Sequence, residues 1–345
     1  MLGCAVLPFF SNPLLGNTVD EWTPGYQSLK FKRRNNFWSQ ADFVLFDGTI
    51  TTSPPGTKTY DRRIQGTYNV GGDYALPNGG LRFSVKAFAS YEKEDKDVAP
   101  KNPRTQFIKR IQPALDFTFV NPKGLEIFIG SQLHHEFAYD SLTQSDFVDS
   151  INEKSAVTMN VLRFGMMRRG GSWNGGFYYI NGAETQRDIK QYAVGFQDQS
   201  IVTKERVQVP PEAGIIASFR FYGFESELDL ALVQASEAPD VSSDGISVVD
   251  DYLRIRLGTY FPVLIGSIGL SLTHKTLSYS SNAFVNLETI PTTVAKARLL
   301  LGTLDSNVYV GGVYGLGDDG LSIPETNETY KLRTIGFTTG VFLAL

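Results

Sequence analysis

Charged residues recur at every second position in two neighbouring stretches of this 345-residue sequence. "FESELDLAL" at 224–232 sets Glu225, Glu227 and Asp229 among Phe224, Leu228 and Leu230. "LRIRLG" at 253–258 sets Arg254 and Arg256 between Leu253, Ile255 and Leu257. A period of two is that of a β-strand, so each charged set shares one face. An acidic row beside a basic row creates a transverse field, as charged rings do where ions are selected. Arg220 precedes this group and Lys296 and Arg298 follow it, while Arg82, Lys86 and Asp116 hold the same parity in 81–91 and 111–119. Two chemistries follow for these residues: they line a pore, or they neutralise one another and brace a filled interior, where buried charges must pair.

"HHEFAYDS" at 134–141 gathers His134, His135, Glu136, Asp140 and Ser141, the residue types of a hydrolytic site. His134 and Glu136 share a parity, but no second stretch supplies a persuasive nucleophile, and His274 falls on the apolar parity of its own stretch. No catalytic residue is therefore assigned, and the pair reads as solvated interfacial histidines. A single cysteine, Cys4, and three histidines leave no set for a structural metal, and no cofactor motif is found. The net charge of −4 offers no basic surface for nucleic acid.

The elements that would carry these residues are strands. Glycine (33), phenylalanine (24) and tyrosine (16) suit strands and tight turns, and no run approaches the roughly 18 apolar residues of a spanning helix. Tight connections occur at 77–80, 121–124, 169–176, 222–223, 262–264 and 304–307, mostly with Gly, Asn, Asp or Pro. Long polar ones alternate with them at 52–58, 92–103, 140–154, 186–205, 236–245, 280–288 and 317–328. Thirteen connections predict fourteen strands.

Along those strands one parity is apolar and the other polar. Leu81, Phe83, Val85, Ala87, Ala89 and Tyr91 alternate with Arg82, Ser84, Lys86, Phe88 and Ser90; Leu125, Ile127 and Ile129 alternate with Glu126 and Gly130. A soluble antiparallel sheet also alternates, but it would contain a fully apolar central strand, and none is seen. Aromatics at strand ends (Tyr74, Phe119, Tyr222, Phe224, Tyr260, Phe261) suit interfacial girdles. The expected fold is all-β: a closed antiparallel transmembrane β-barrel with short turns on one side and long loops on the other.

The chain ends "TTGVFLAL", where Thr338, Gly340, Leu343 and Leu345 fill a polar–x–Gly–x–x–hydrophobic–x–hydrophobic pattern. This resembles the terminal sorting signal of bacterial outer-membrane β-barrels, in which the last residue is usually Phe. The resemblance implies an outer-membrane location with periplasmic turns and extracellular loops. It also implies insertion by the barrel assembly machinery and a surrounding of outer-membrane lipid and lipopolysaccharide. Fourteen strands are similar to FadL-like channels for hydrophobic compounds and to some monomeric porins. The main expectation is a porin-like passive channel for small solutes; the alternative is a FadL-like transporter, and the third is a surface barrel with an adhesive or enzymatic role. The FadL-like alternative implies a hydrophobic binding pocket and a lateral opening at a strand kink, with which inward-facing Phe88 and Phe128 and the Pro210-Pro211 break are compatible.

Residues 38–345 are expected to form the barrel and 1–37 a separate N-terminal segment: a signal remnant, a periplasmic segment or a lumen plug. "SNPLLGN" at 11–17 carries the Asn-Pro dipeptide that FadL-type hatches often contain. "MLGCAVLPFF" is apolar enough for a signal core but lacks a basic start and an A-x-A site.

Overall fold

The computed structural model describes residues 35–52, 58–77, 80–98, 102–143, 149–170, 172–193, 201–209, 211–221, 224–233, 246–281, 284–303, 306–315, 321–323 and 328–344. Eighteen strand segments follow one another: β1 (Asn36–Thr52), β2 (Lys58–Ala75), β3 (Leu81–Val98), β4 (Asn102–Val120), β5 (Leu125–Thr143), β6 (Asp149–Lys154), β7 (Val157–Arg169), β8 (Trp173–Ile180) and β9 (Ala183–Ala193), then β10 (Ile201–Val209), β11 (Glu212–Phe221), β12 (Phe224–Val233), β13 (Ile246–Val263), β14 (Gly266–Ser281), β15 (Phe284–Thr303), β16 (Ser306–Gly315), β17 (Leu321–Ile323) and β18 (Glu328–Ala344). Four segments continue the crossing before them (β6 into β7, β8 into β9, β10 into β11, β16 into β17), which leaves the fourteen crossings the connections predict. All the pairings are antiparallel; β1 pairs with β2 along one edge and with β18 along the other.

The crossings are longer than the sequence suggests. The polar stretches at 92–103, 140–154, 186–205 and 280–288 are largely strand, because Lys93, Glu94, Asp95 and Lys96 stay paired with Phe107, Gln106, Thr105 and Arg104. The tight turns match their residue types. In 121–124, Asn121 Oδ1 accepts from Lys123 N at 2.8 Å, and Gly124 takes φ +85°, a conformation that favours glycine.

Alternation survives, but with the usual burial reversed. Apolar side chains such as Val85, Ile111, Phe119, Ile129, Ile215 and Phe337 are exposed, whereas Arg82, Asp116, Glu126, Arg254, Arg256, Lys296, Arg298 and Thr338 are buried. The polar face is therefore the enclosed one. Large inward side chains lie flat against glycines of neighbouring strands: Phe128 over Gly165, Tyr178 over Gly214, Trp38 over Gly71. One girdle assignment is corrected: Tyr260 points inward and packs with Leu300 and Tyr309, since it holds the same parity as Arg254 and Arg256. Tyr74, Phe119 and Phe261 are outward and exposed; Tyr222 and the side chain of Phe224 lie outside the described residues.

Three neighbouring crossings change parity at their breaks. Inward residues on β7 are odd-numbered, yet register with β5 makes them even on β6, and the switch falls at Ser155-Ala156. On β8 the inward set includes Asn174 and Tyr178, whereas on β9 it includes Arg187, so the switch falls at Asn181-Gly182. β10 and β11 switch between Val209 and Glu212, where Pro211 packs against Gly182; Pro210 lies outside the described residues. Pro and Gly weaken a ladder and mark such bends.

Candidate inner-wall site

Three carboxylates on the inner wall are each gripped by two cations from different strands. Glu126 on β5 accepts from Arg82 Nη2 (β3) at 2.8 Å and from Arg169 Nε (β7) at 2.6 Å. Asp116 on β4 accepts from Lys86 Nζ at 2.9 Å and from Arg163 Nη2 at 2.5 Å. Glu136, higher on β5, accepts from Arg110 Nε at 2.7 Å and Arg187 Nη1 at 2.8 Å, with His134 Nε2 at 3.5 Å. The period-two alternation brings these groups to one face, and strand register stacks them from the turn end toward the loop end. Each group of two cations and one anion keeps one net positive charge.

On the far side of the broken crossings Arg254 Nη2 donates to Glu212 Oε1 at 2.7 Å and to the Tyr178 hydroxyl at 2.8 Å, and Tyr178 in turn donates to Glu212. Arg298 lies 4.7 Å from the centroid of Tyr309. Asp42 on β1 and Asp73 on β2 use neutral donors: Gln40 Nε2 on Asp42 at 2.5 Å, Asn36 Nδ2 on Asp73 at 3.0 Å and Ser84 on Asp73.

The expected lining residues Arg82, Lys86, Asp116, Arg254, Arg256, Lys296 and Arg298 all face inward. Arg220, Glu225, Glu227 and Asp229 occupy strand positions whose side chains lie outside the described residues; in the backbone register Asp229 stands opposite Arg256 and Arg220 opposite Glu225. Arg254 was expected beside that acidic row, and it also reaches Glu212, two strands away. Glu126, Arg163, Arg169, Arg187 and Glu212 were not singled out. Their signal was parity alone, since each sits in phase with inward neighbours.

The candidate hydrolytic cluster does not assemble. Glu136 is committed to two guanidinium groups, and His134 faces inward against Gln112. His135 faces outward to Thr158, and His274 bonds Thr293 at 2.8 Å. Asp140 and Ser141 have side chains outside the described residues. In the terminal signal Thr338 is buried inward and Leu343 exposed outward; Leu345 lies outside the described residues.

The inner wall also carries an apolar stripe. Met167, Tyr178 and Ile216 form a buried cluster with Phe128 and Ile180 against it. Above them Val157, Met159 and Val207 form another, with Ala183 and Val209 packed on it. Both clusters lie on the crossings that break.

No family model and no curated protein matches this sequence. Among solved structures the fold is similar to the Pseudomonas putida toluene transporter TodX, at 10% identity over 95% of this chain and 93% of that one, with a TM-score of 0.61. It is similar to a Pseudomonas aeruginosa FadL homologue at 7% identity, over 90% of each chain, with a TM-score of 0.58. The CymD monoaromatic hydrocarbon channel follows at 12% identity over 92% and 91%, with a TM-score of 0.50. The chain thus shares the architecture of fourteen antiparallel strands with bacterial hydrocarbon channels.

Proposed function

We propose that the fourteen crossings close into a β-barrel in the bacterial outer membrane and that this barrel passes small hydrophobic compounds. Pairing of β1 with both β2 and β18 supports closure. The exposed apolar face and enclosed polar face support a lipid surround, because a closed barrel is the sheet that satisfies its backbone groups in lipid. The observation that carries the choice of solute is the inward apolar stripe of Met167, Tyr178, Ile216, Val157, Met159 and Val207. A water-filled porin has no use for it, whereas an aromatic hydrocarbon would desolvate against it. The solved structures with this fold are a toluene transporter and a monoaromatic hydrocarbon channel, which supports the same solute class.

Burial of the inward charges also argues against a wide aqueous pore: Arg256 is 1% exposed and Arg82 2%. β1 begins at Asn36 opposite Asp73, at the rim of short turns, which supports the reading of residues 1–37 as the lumen plug. Reconstitution in a planar bilayer tests the reading. We expect no steady conductance. Charges lining an open pore comparable to the Debye length of about 8 Å would be only partly screened. Steady conductance steps, whose selectivity moves toward cations in the Arg254→Glu, Arg256→Glu variant, would overturn the hydrophobic reading in favour of a porin.

A further inference from the structure

Glu212 differs from the other inward carboxylates in how its two oxygens are used. On Glu126, Asp116 and Glu136 each oxygen accepts from a separate cation. On Asp73 one oxygen takes Asn36 and the other Ser84. Glu212 takes both of its donors on one oxygen: Arg254 Nη2 at 2.7 Å and the Tyr178 hydroxyl at 2.5 Å both reach Oε1. Oε2 receives no donor among the described residues. Asp42 also leaves an oxygen, Oδ1, without a donor, but that atom is sealed in the wall, where Asp42 is 3% exposed. The Glu212 side chain keeps 13% of its surface open, against 2%, 8% and 7% for Glu126, Asp116 and Glu136. Among the described inward carboxylates it is the one that offers the lumen a spare acceptor.

That acceptor stands at the edge of the apolar stripe. In register Glu212 lies opposite Ile180 and Gly214 opposite Tyr178. The Tyr178 ring lies flat over Gly214, Met167 and Ile216 pack with it, and Phe128 and Ile180 are the partly buried members of the cluster. Arg254 fixes the carboxylate, because one guanidinium nitrogen donates to both the Tyr178 hydroxyl and Oε1. An aromatic ring against Ile180 therefore meets a positioned acceptor at its rim. A hydroxyl or amino group there makes a charge-assisted hydrogen bond. A methyl group or an ether oxygen in the same place covers Oε2 and leaves it without a donor, which is penalised. A carboxylate would set a second negative charge against Glu212, so the favoured solute is neutral.

We propose that Glu212, held by Arg254 and Tyr178, is a recognition site for neutral single-ring aromatics that carry one hydrogen-bond donor, namely phenols and anilines. The donor binds Oε2 and the ring lies against Ile180 and its neighbours in the stripe. The proposal rests on the transport reading above and narrows its solute class: toluene passes along the stripe, whereas a cresol is held on it.

The test compares two compounds of similar shape. Equilibrium dialysis of the full chain in lipid nanodiscs, with empty discs as the blank, measures binding of labelled para-cresol and of para-methylanisole, in which a methyl group replaces the hydroxyl hydrogen. Para-cresol should bind about tenfold more tightly, the scale of a hydrogen bond to a charged acceptor. Glu212→Gln keeps the side-chain size and leaves Arg254 and Tyr178 an oxygen, while its amide nitrogen puts a donor where Oε2 was an acceptor. The preference for para-cresol should be lost in this variant. Equal affinities in the wild type, or an undiminished preference in Glu212→Gln, overturn the site. Should Glu212→Gln fail to assemble, the wild type decides. Para-chlorophenol, the stronger donor, should exceed para-cresol by more than para-chloroanisole exceeds para-methylanisole; equal increments overturn the site. Toluene uptake by cells separates this result from the transport reading. Uptake without a cresol preference removes the site and leaves transport standing, whereas a preference without uptake overturns the transport reading instead.

Discussion

Glu126 shows what the inner carboxylates do. It is almost wholly buried between Arg82 and Arg169, and its removal leaves two guanidinium groups facing each other without their anion. Breaking a buried pair from one side costs about 3 to 5 kcal/mol. Glu126→Ala should therefore lower stability toward urea by about that amount, and Glu126→Ala with Arg82→Leu should recover part of the loss; unchanged unfolding midpoints would show the cluster to be ornamental. The faces of these residues were legible in the sequence, because parity alone decides inward or outward. Their partners were not. Arg254 was expected among the acids of 225–229, yet it also reaches Glu212, a contact set by how side chains fold across two strands.

Along a strand the apolar parity is the clearest signal in the chain, and Val85 tests its meaning. It is 61% exposed on β3. On a soluble sheet Val85→Arg would be harmless, whereas at the middle of a lipid face it costs about 2 to 4 kcal/mol. Assembled, heat-modifiable protein should fall for Val85→Arg and hold for Thr158→Arg, an exposed outward position opposite His135 and beside Asn160; equal yields would contradict the lipid-facing assignment. The parity switches at Ser155-Ala156 and Asn181-Gly182 escaped the sequence reading. Ser155-Ala156 has no turn signature, and Asn181-Gly182, a turn dipeptide by type, sits inside one crossing instead of between two; a switch shows only when both partners' registers are known. Pro211 was legible as a break, but its meaning came from the matching break at Gly182 beside it.

Across the chain, alternation of short and long connections foretold fourteen crossings, and the structure has them in eighteen segments. Solute class was less legible, because charged inward residues in the sequence point to a pore while the apolar stripe emerges only when β5, β7, β8, β10 and β11 come together. Orientation follows from connection length: a tag at Lys123 should be sheltered in intact cells and one at Ser242 should be accessible, and the reverse pattern would invert the barrel. Hydrocarbon uptake tests the central claim most directly. Cells with an intact lipopolysaccharide leaflet, with and without this chain, are given dilute ring-labelled toluene and, separately, a labelled disaccharide. The account predicts faster toluene entry with the protein present and no change for the disaccharide. Unchanged toluene entry, or faster entry of the sugar, would contradict it.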